Sequence, residues 1–289
     1  MKIGFIGLGS LGTAIAENIL NKRKQLFVYN RTASKAMPLV AMGATMCQSA
    51  REIARESDVV FSIVSDDHAL EQITMGEGGI AENLKQAGVH VSMSTILPAT
   101  ATQLAAYHRA HGNNYLAAPV MGRPEAARAR KLNFLVSGPT DIVESIKPFL
   151  KDLGGETIWE FGEEPAAANV AKLCSNFLIA SAIESMAEGI NLARQSGLDA
   201  NAWMHMLTQT IFSAPVYVNY GRLLLDEIFK PAGFSMRLGL KDANLIVDQS
   251  RTVNAEMPFG KLMQQRLSEC VQMGLGDHDW TAVALALKK

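Results

Sequence analysis

Cysteine is scarce in this chain: Cys47, Cys174 and Cys270 are the only three among 289 residues. They are scattered, odd in number and free of any C-x-x-C or zinc-ligand spacing. That pattern argues against a disulfide framework and points to reduced thiols, as in a cytosol. A surplus of one charge is also missing. Lysine plus arginine number 27 against 28 acidic residues, so nothing directs the chain toward nucleic acid or an anionic membrane. No uninterrupted apolar run reaches about 18 residues, and no membrane-spanning helix is expected. The opening MKIGFIGLGSLG has only a short apolar run broken by glycines, unlike a secretory leader. Internal repeats and low-complexity linkers are lacking too. What remains is a globular composition, 48% hydrophobic and 19% charged. The expectation is a cytoplasmic protein of two domains with neither a nucleic-acid nor a membrane partner.

Short β-like runs alternate with helical periods through the first half. The strand candidates are KIGFIG (2–7), QLFVYN (25–30), DVVFSIVS (58–65), HVSMST (90–95), YLAAPV (115–120), NFLVSG (133–138) and TIWEFG (157–162). In 10–22, Leu11, Ala14, Ile15 and Ile19 recur at roughly 3.6-residue spacing, a helical face. Such alternation predicts βαβ units and a mostly parallel sheet covered on both faces. After Pro165 the strand signals nearly vanish. Residues 165–195 read as one helix, about 45 Å long at roughly 1.5 Å per residue, followed by helices near 199–210, 215–229, 235–253 and 258–273. The fold expected is a Rossmann-type α/β domain over 1–163 and an all-α domain over 164–289, joined by the long helix.

Gly7-Leu8-Gly9-Ser10-Leu11-Gly12 is G-x-G-x-x-G, after a strand and at the start of a helix. That context gives the motif its meaning. The first glycine allows the tight turn, the second lets the backbone approach a pyrophosphate, and the third allows close helix–strand packing. The helix start adds N–H groups and a positive dipole end. An acid about 20 residues on would bond the ribose 2′-hydroxyl of NAD, and none is there. Asn30-Arg31-Thr32 occupies that place, and the arginine fork suits a 2′-phosphate. The expected cofactor is therefore NADP(H), preferred over NAD(H). Further ligand candidates lie at later strand ends, at Val64, Ser65 and Asp66 and at Ser94 and Thr95. For Asp66 and Asp67, capping of the next helix is an equal alternative.

Asn169, Lys172 and Asn176 share one stripe of the long helix, and the stripe continues as Ile179, Ala180 and Ile183. A short polar patch on an otherwise apolar stripe is not a solvated face. A lysine partly buried there loses pKa by desolvation and can pass a proton near neutral pH, with a purely structural lysine as the alternative on the pattern alone.

Taken together, these segments make the chain resemble the β-hydroxyacid dehydrogenase family over essentially its whole length. IGFIGLGSLGTAIAENI with YNRT is similar to the dinucleotide signature of its NADP-using branch. MSTILP (93–98), AAPVMGRPEAA (117–127), AKLCSN (171–176) and LKDANL (240–245) resemble its later motifs, in order. The resemblance implies an NADP-dependent reductase or dehydrogenase that interconverts a small β-hydroxyacid and its semialdehyde or keto acid. It implies Lys172 as general acid and base and Asn176 as its catalytic partner. It also implies Ser94, Met121, Gly122, Arg123 and Phe234 at the substrate, and Thr95 and Lys241 at the nicotinamide end with Asp242 nearby. A carboxylate-bearing small molecule and a homodimer or homotetramer complete the implied partners.

The chain departs from the family at Met121, where serine is usual. A thioether has no hydrogen to donate to a carboxylate, which predicts a more apolar pocket, and Arg123 could compensate. Asp277-His278-Asp279 reads as a helix-start turn rather than a metal site. Cys174 reads as a buried small residue facing away from Lys172. Rival readings are an imine reductase-like enzyme, which the presence of Lys172 disfavours, and a non-catalytic nucleotide-binding protein, which intact Lys172 and Asn176 disfavour.

Overall fold

The structure, a computed structural model, describes residues 1–287. Packing divides it into two compact units at Lys172, so the first unit ends there and the second begins at Leu173.

Nine strands lie in the first unit: β1 (Ile3–Ile6), β2 (Phe27–Tyr29), β3 (Thr45–Met46), β4 (Val59–Ser62), β5 (Val89–Ser92), β6 (Asn114–Ala117), β7 (Val120–Met121), β8 (Leu132–Val136) and β9 (Gly155–Glu160). Its helices are α1 (Ser10–Arg23), α2 (Met37–Ala41), α3 (Ala50–Glu56), α4 (Asp67–Met75), α5 (Ile80–Asn83), α6 (Pro98–Ala110), α7 (Pro124–Arg128) and α8 (Thr140–Asp152). The main sheet has the order β3-β2-β1-β4-β5-β6, and every pairing in it is parallel. Period two on the strands explains the two cores. Phe5, Val59 and Phe61 pack on one face with Ile15, Ile19 and Leu116. Their neighbours Ile6 and Val60 pack on the other with Ile53, Ile80 and Leu84. Both faces are covered, so these strands carry apolar residues continuously instead of alternating them with polar ones.

The run YLAAPV does not form one strand. The parallel ladder ends at Ala117, and Val120–Met121 pair antiparallel with β8 in a second, three-stranded sheet. Pro119 between them has no N–H to offer a ladder. This break turns the chain out of the main sheet and carries Met121 and Gly122 to a new edge. The two-residue β3 has no sequence signal of its own.

The long helix α9 (Ala167–Gln195) passes from the first unit into the second. By length and composition it could cross a membrane, yet half of its most apolar stretch is buried inside the protein. Lys172, Asn176 and Glu184 on it are buried as well, as in the core helix of a globular fold. The second unit continues with α10 (Ala200–Gln209), α11 (Pro215–Leu225), α12 (Met236–Thr252) and α13 (Pro258–Cys270), then a short 3-10 helix over Trp280–Leu287. Local chemistry sets the starts. Asp199 caps α10 and Ser235 caps α12 through their side-chain oxygens. Prolines open α11 and α13, where a missing N–H costs nothing. Ile183, Met186 and Ile190 of α9 form the core with Met204, Leu224, Met263, Leu267 and Trp280.

Candidate active site

The three glycines of the first turn divide into two kinds. Gly7 has φ +96°, and a Cβ there would lie 2.0 Å from the Ile63 carbonyl oxygen. A Cβ on Gly12 would lie 2.1 Å from the Gly7 carbonyl oxygen. These two positions admit nothing larger than glycine. Gly9 is different, because nothing lies within 4 Å of its would-be Cβ. It precedes α1 with no side chain capping the helix start, and Ser10 beside it is exposed with Leu11 half-buried. The open space at Gly9 and the uncapped N–H groups of a 14-residue helix fit a pyrophosphate.

Asn30 holds this loop in place. Its Oδ1 accepts from Leu8 N–H at 2.9 Å, and its Nδ2 donates to the Thr32 carbonyl at 2.9 Å. Gly7 N–H donates to the Tyr29 carbonyl at 3.1 Å. The carboxamide that follows β2 therefore couples the phosphate loop to the turn carrying Arg31 and Thr32, both exposed.

At the ends of β4 and β5, side chains fasten loops. Val64 N–H donates to Ser94 Oγ at 2.8 Å, and Ser94 is buried. Asp66 caps α4, accepting from Ala69 N–H at 2.8 Å and from the Ser65 hydroxyl at 2.7 Å. Asp67 Oδ1 accepts from Leu97 N–H at 2.8 Å and from the Thr100 hydroxyl at 2.6 Å. The capping alternative for Asp66 and the matching role of Asp67 in fastening the next loop are thus visible in the geometry. Thr95 is half-buried beside them.

Lys172 is 8% exposed. Its Nζ donates to the Val120 carbonyl at 2.9 Å and lies 3.2 Å from Met121 Sδ. The strand break at Pro119 creates this contact, because it places both acceptors on β7. Gly122 follows with φ +148°, and a Cβ there would meet the Leu132 side chain at 2.5 Å. Arg123 precedes α7 and approaches Glu125 at 3.7 Å. The start of α9 is pinned from the end of β8. Ser137 Oγ accepts from Ala168 N–H at 3.0 Å and donates to the Pro165 carbonyl at 3.0 Å. Lys172 follows one turn later. Cys174, expected to be buried, is exposed. Its i+2 offset from Lys172 turns it to the side of α9 that the neighbouring elements leave open.

In the second unit, buried Asn176 donates from Nδ2 to Asp242 Oδ2 at 2.5 Å. Lys241 Nζ lies 2.6 Å from Asp242 Oδ1. The carboxylate accepts only, so it fixes which way the amide points and leaves Asn176 Oδ1 turned from it. Asn176 and Asp242 line a small pocket with Phe177, Ile246, Met263 and Trp280. Phe234 stands outside that lining and packs edge-on against Trp280 at 4.7 Å between ring centres. Asp279 accepts from the Gly233, Phe234 and Thr281 N–H groups. That is the helix-start turn read from the sequence. The residue that sequence reading underweighted is Asp242, whose signal was its place directly after Lys241.

The strand order of the main sheet, with a glycine-lined turn and an open helix start after β1, defines a Rossmann-type dinucleotide-binding fold. Residues 2–162 match the family described as the NAD-binding domain of 6-phosphogluconate dehydrogenase. Residues 166–287 match that described as the NAD-binding of NADP-dependent 3-hydroxyisobutyrate dehydrogenase. The chain belongs to the β-hydroxyacid dehydrogenase family. It is 38% identical to the uncharacterized oxidoreductase YfjR of Bacillus subtilis over the full length of both. It is 30% identical to glyoxylate/succinic semialdehyde reductase 2 of Arabidopsis thaliana, covering all of this chain and 80% of the relative. Among solved structures, 3-hydroxyisobutyrate dehydrogenase of Mycobacterium tuberculosis with L-serine superposes with a TM-score of 0.86 at 26% identity. That match covers 100% of this chain and 99% of the other.

Proposed function

We propose that this protein is an NADP(H)-dependent reductase that interconverts a small carboxylate-bearing semialdehyde or keto acid and its β-hydroxyacid, with Lys172 moving the proton. The observation that carries this reading is the Lys172 ammonium, buried and held by the Val120 carbonyl and Met121 sulfur. A bound nicotinamide nucleotide supplies or receives the hydride. Lys172 donates a proton to the carbonyl oxygen in reduction and takes the hydroxyl proton in oxidation. The Val120 carbonyl and the Met121 thioether orient the ammonium toward β7. Asn176, with its amide oriented by Asp242, is a substrate-holding group in this reading. Gly122 N–H and Arg123 receive the substrate carboxylate. The names of the relatives support a substrate of this size and charge.

Arg31 carries the cofactor preference. Its exposed guanidinium, on the turn that Asn30 fixes, receives a 2′-phosphate. The test is oxidation of NADPH and of NADH with glyoxylate, succinic semialdehyde, tartronate semialdehyde and methylmalonate semialdehyde. The expected result is turnover of at least one of them with NADPH favoured. Arg31→Ala should weaken NADPH about tenfold or more and leave NADH nearly unchanged, since a hydrogen bond to a charged group contributes about 1.5–3 kcal/mol. Equal use of both cofactors by the unaltered protein would contradict the preference. Turnover of cyclic imines with none of the carbonyl acids would contradict the substrate class.

A further inference from the structure

Met121 places a thioether sulfur 3.2 Å from the Lys172 ammonium nitrogen. We propose that Met121 is an oxidation site through which a peroxide switches the protein off. The consequence for turnover rests on the reading of Lys172 as proton donor; the modification itself does not.

Three observations converge. The first is order. Met121 is the last residue of β7, followed by Gly122, whose positive φ and close approach to Leu132 admit no side chain. The backbone at this position is thereby fixed, and the Met121 sulfur lies 3.2 Å from Lys172 Nζ. The second is access. Met121 is half-buried, not sealed, and access of an oxidant as small as hydrogen peroxide to its sulfur is what the mass readout below tests. The third is chemistry. A thioether is a weak acceptor, so of the two contacts on β7 the Val120 carbonyl is the stronger. A sulfoxide is polar and accepts strongly through its oxygen.

The step balances without any further reagent. The sulfur lone pair attacks one peroxide oxygen and forms the S–O bond. The O–O bond breaks, and the hydrogen on the attacked oxygen passes to the departing hydroxide. Methionine sulfoxide and water result. Sulfur is oxidised by two electrons and the peroxide is reduced. The new oxygen stands within reach of the ammonium, and a charge-assisted hydrogen bond holds the proton on Lys172. The group that should give up its proton is then clamped. Methionine sulfoxide reductases reverse the change.

Cys174 is the competing target, exposed two residues beyond Lys172. The two are told apart by what restores them, because dithiothreitol reduces a sulfenic acid or disulfide but not a sulfoxide. The experiment treats the whole protein with graded hydrogen peroxide. Mass spectrometry follows the gain of one oxygen on the Met121 peptide, with exposed Met206 and Met273 as internal references. Activity of wild type, Met121→Leu and Cys174→Ser is each expressed relative to its own untreated rate. The expected result is that wild type and Cys174→Ser lose activity at least about tenfold in step with Met121 oxidation, within what a positioned proton donor contributes. Methionine sulfoxide reductase A and B should restore them, while Met121→Leu resists. Equal fractional loss in Met121→Leu, recovery with dithiothreitol alone, or a Met121 peptide that stays unoxidised after Met206 and Met273 are converted would overturn the proposal. The mass readout needs no turnover. An oxidised Met121 in a protein that reduces no carbonyl would sink the proton-donor reading and leave the modification standing. An active protein with Met121 untouched would do the reverse.

Discussion

At the scale of single residues, the glycines of the first turn carry different burdens, and substitution should separate them. Gly9 faces open space, so Gly9→Val should fold with an unchanged melting temperature and lose affinity for the nucleotide about a hundredfold, because its branched side chain fills the space a pyrophosphate needs. Gly12 faces the Gly7 carbonyl, so Gly12→Val should lower the melting temperature by overpacking of about 1–3 kcal/mol or more. Calorimetry and a nucleotide titration on both variants check this. Equal melting temperatures would show that the turn yields more easily than its distances imply. The motif was legible in the sequence because its spacing and context are local. The pairing of Asn176 with Asp242 was legible only as two motifs, since 66 residues separate them. Cys174 was misread because a helical offset tells where a side chain points relative to its neighbours on the helix, not what covers it.

At the scale of elements, α9 is set in place by Ser137, whose hydroxyl satisfies Ala168 N–H and the Pro165 carbonyl together. Ser137→Ala leaves that N–H without its partner. It should cost about 1 kcal/mol, in the range of a lost helix cap, and lower kcat by letting the Lys172 turn shift. Ser137→Thr, which keeps the hydroxyl, should recover much of the lost kcat. Chemical denaturation together with kcat checks both. A loss of stability with no change in kcat would mean that Lys172 is positioned by β7 alone. The helices of the second unit were legible from their prolines and caps. The break of YLAAPV was not predicted, although Pro119 was in plain view. The apolar run outweighed one missing donor in the reading, whereas in the folded chain that missing donor ends the ladder.

At the scale of the whole molecule, the first unit contains a buried hydrogen-bonded chain that makes it sensitive to acid. Asn113 Nδ2 donates to the Ala81 and Leu84 carbonyls, so its Oδ1 accepts from His108 Nδ1 at 2.5 Å. His108 Nε2 must then accept from His90 Nδ1 at 3.0 Å, and His90 Nε2 from the Ser62 hydroxyl at 2.8 Å. Each ring carries one proton, and a second on His108 would face the one on His90. Burial lowers both, His90 well below its usual range and His108 to about 4. The unfolded chain takes up these protons near pH 6.5 and the folded one does not. Stability is therefore full above about pH 6.5 and falls as the pH drops toward 4, by on the order of 3 kcal/mol from His108 alone. Melting temperatures measured between about pH 7 and about pH 4.5 should fall steeply, and a flat profile would refute the assignment. No single-sequence pattern announced this chain, because four residues from separate elements meet only once the parallel sheet is assembled. The sheet itself was legible, since buried strands alternating with helices allow few other arrangements.

The central claim is that Lys172 passes the proton during NADPH-dependent carbonyl reduction. The measurement that tests it most directly is kcat for Lys172→Ala on the best carbonyl substrate, with NADPH affinity measured on the same protein. The account predicts a kcat lower by about 10²–10⁴, with NADPH affinity within about twofold of wild type. A kcat within about threefold of wild type, with the cofactor still bound, would contradict it.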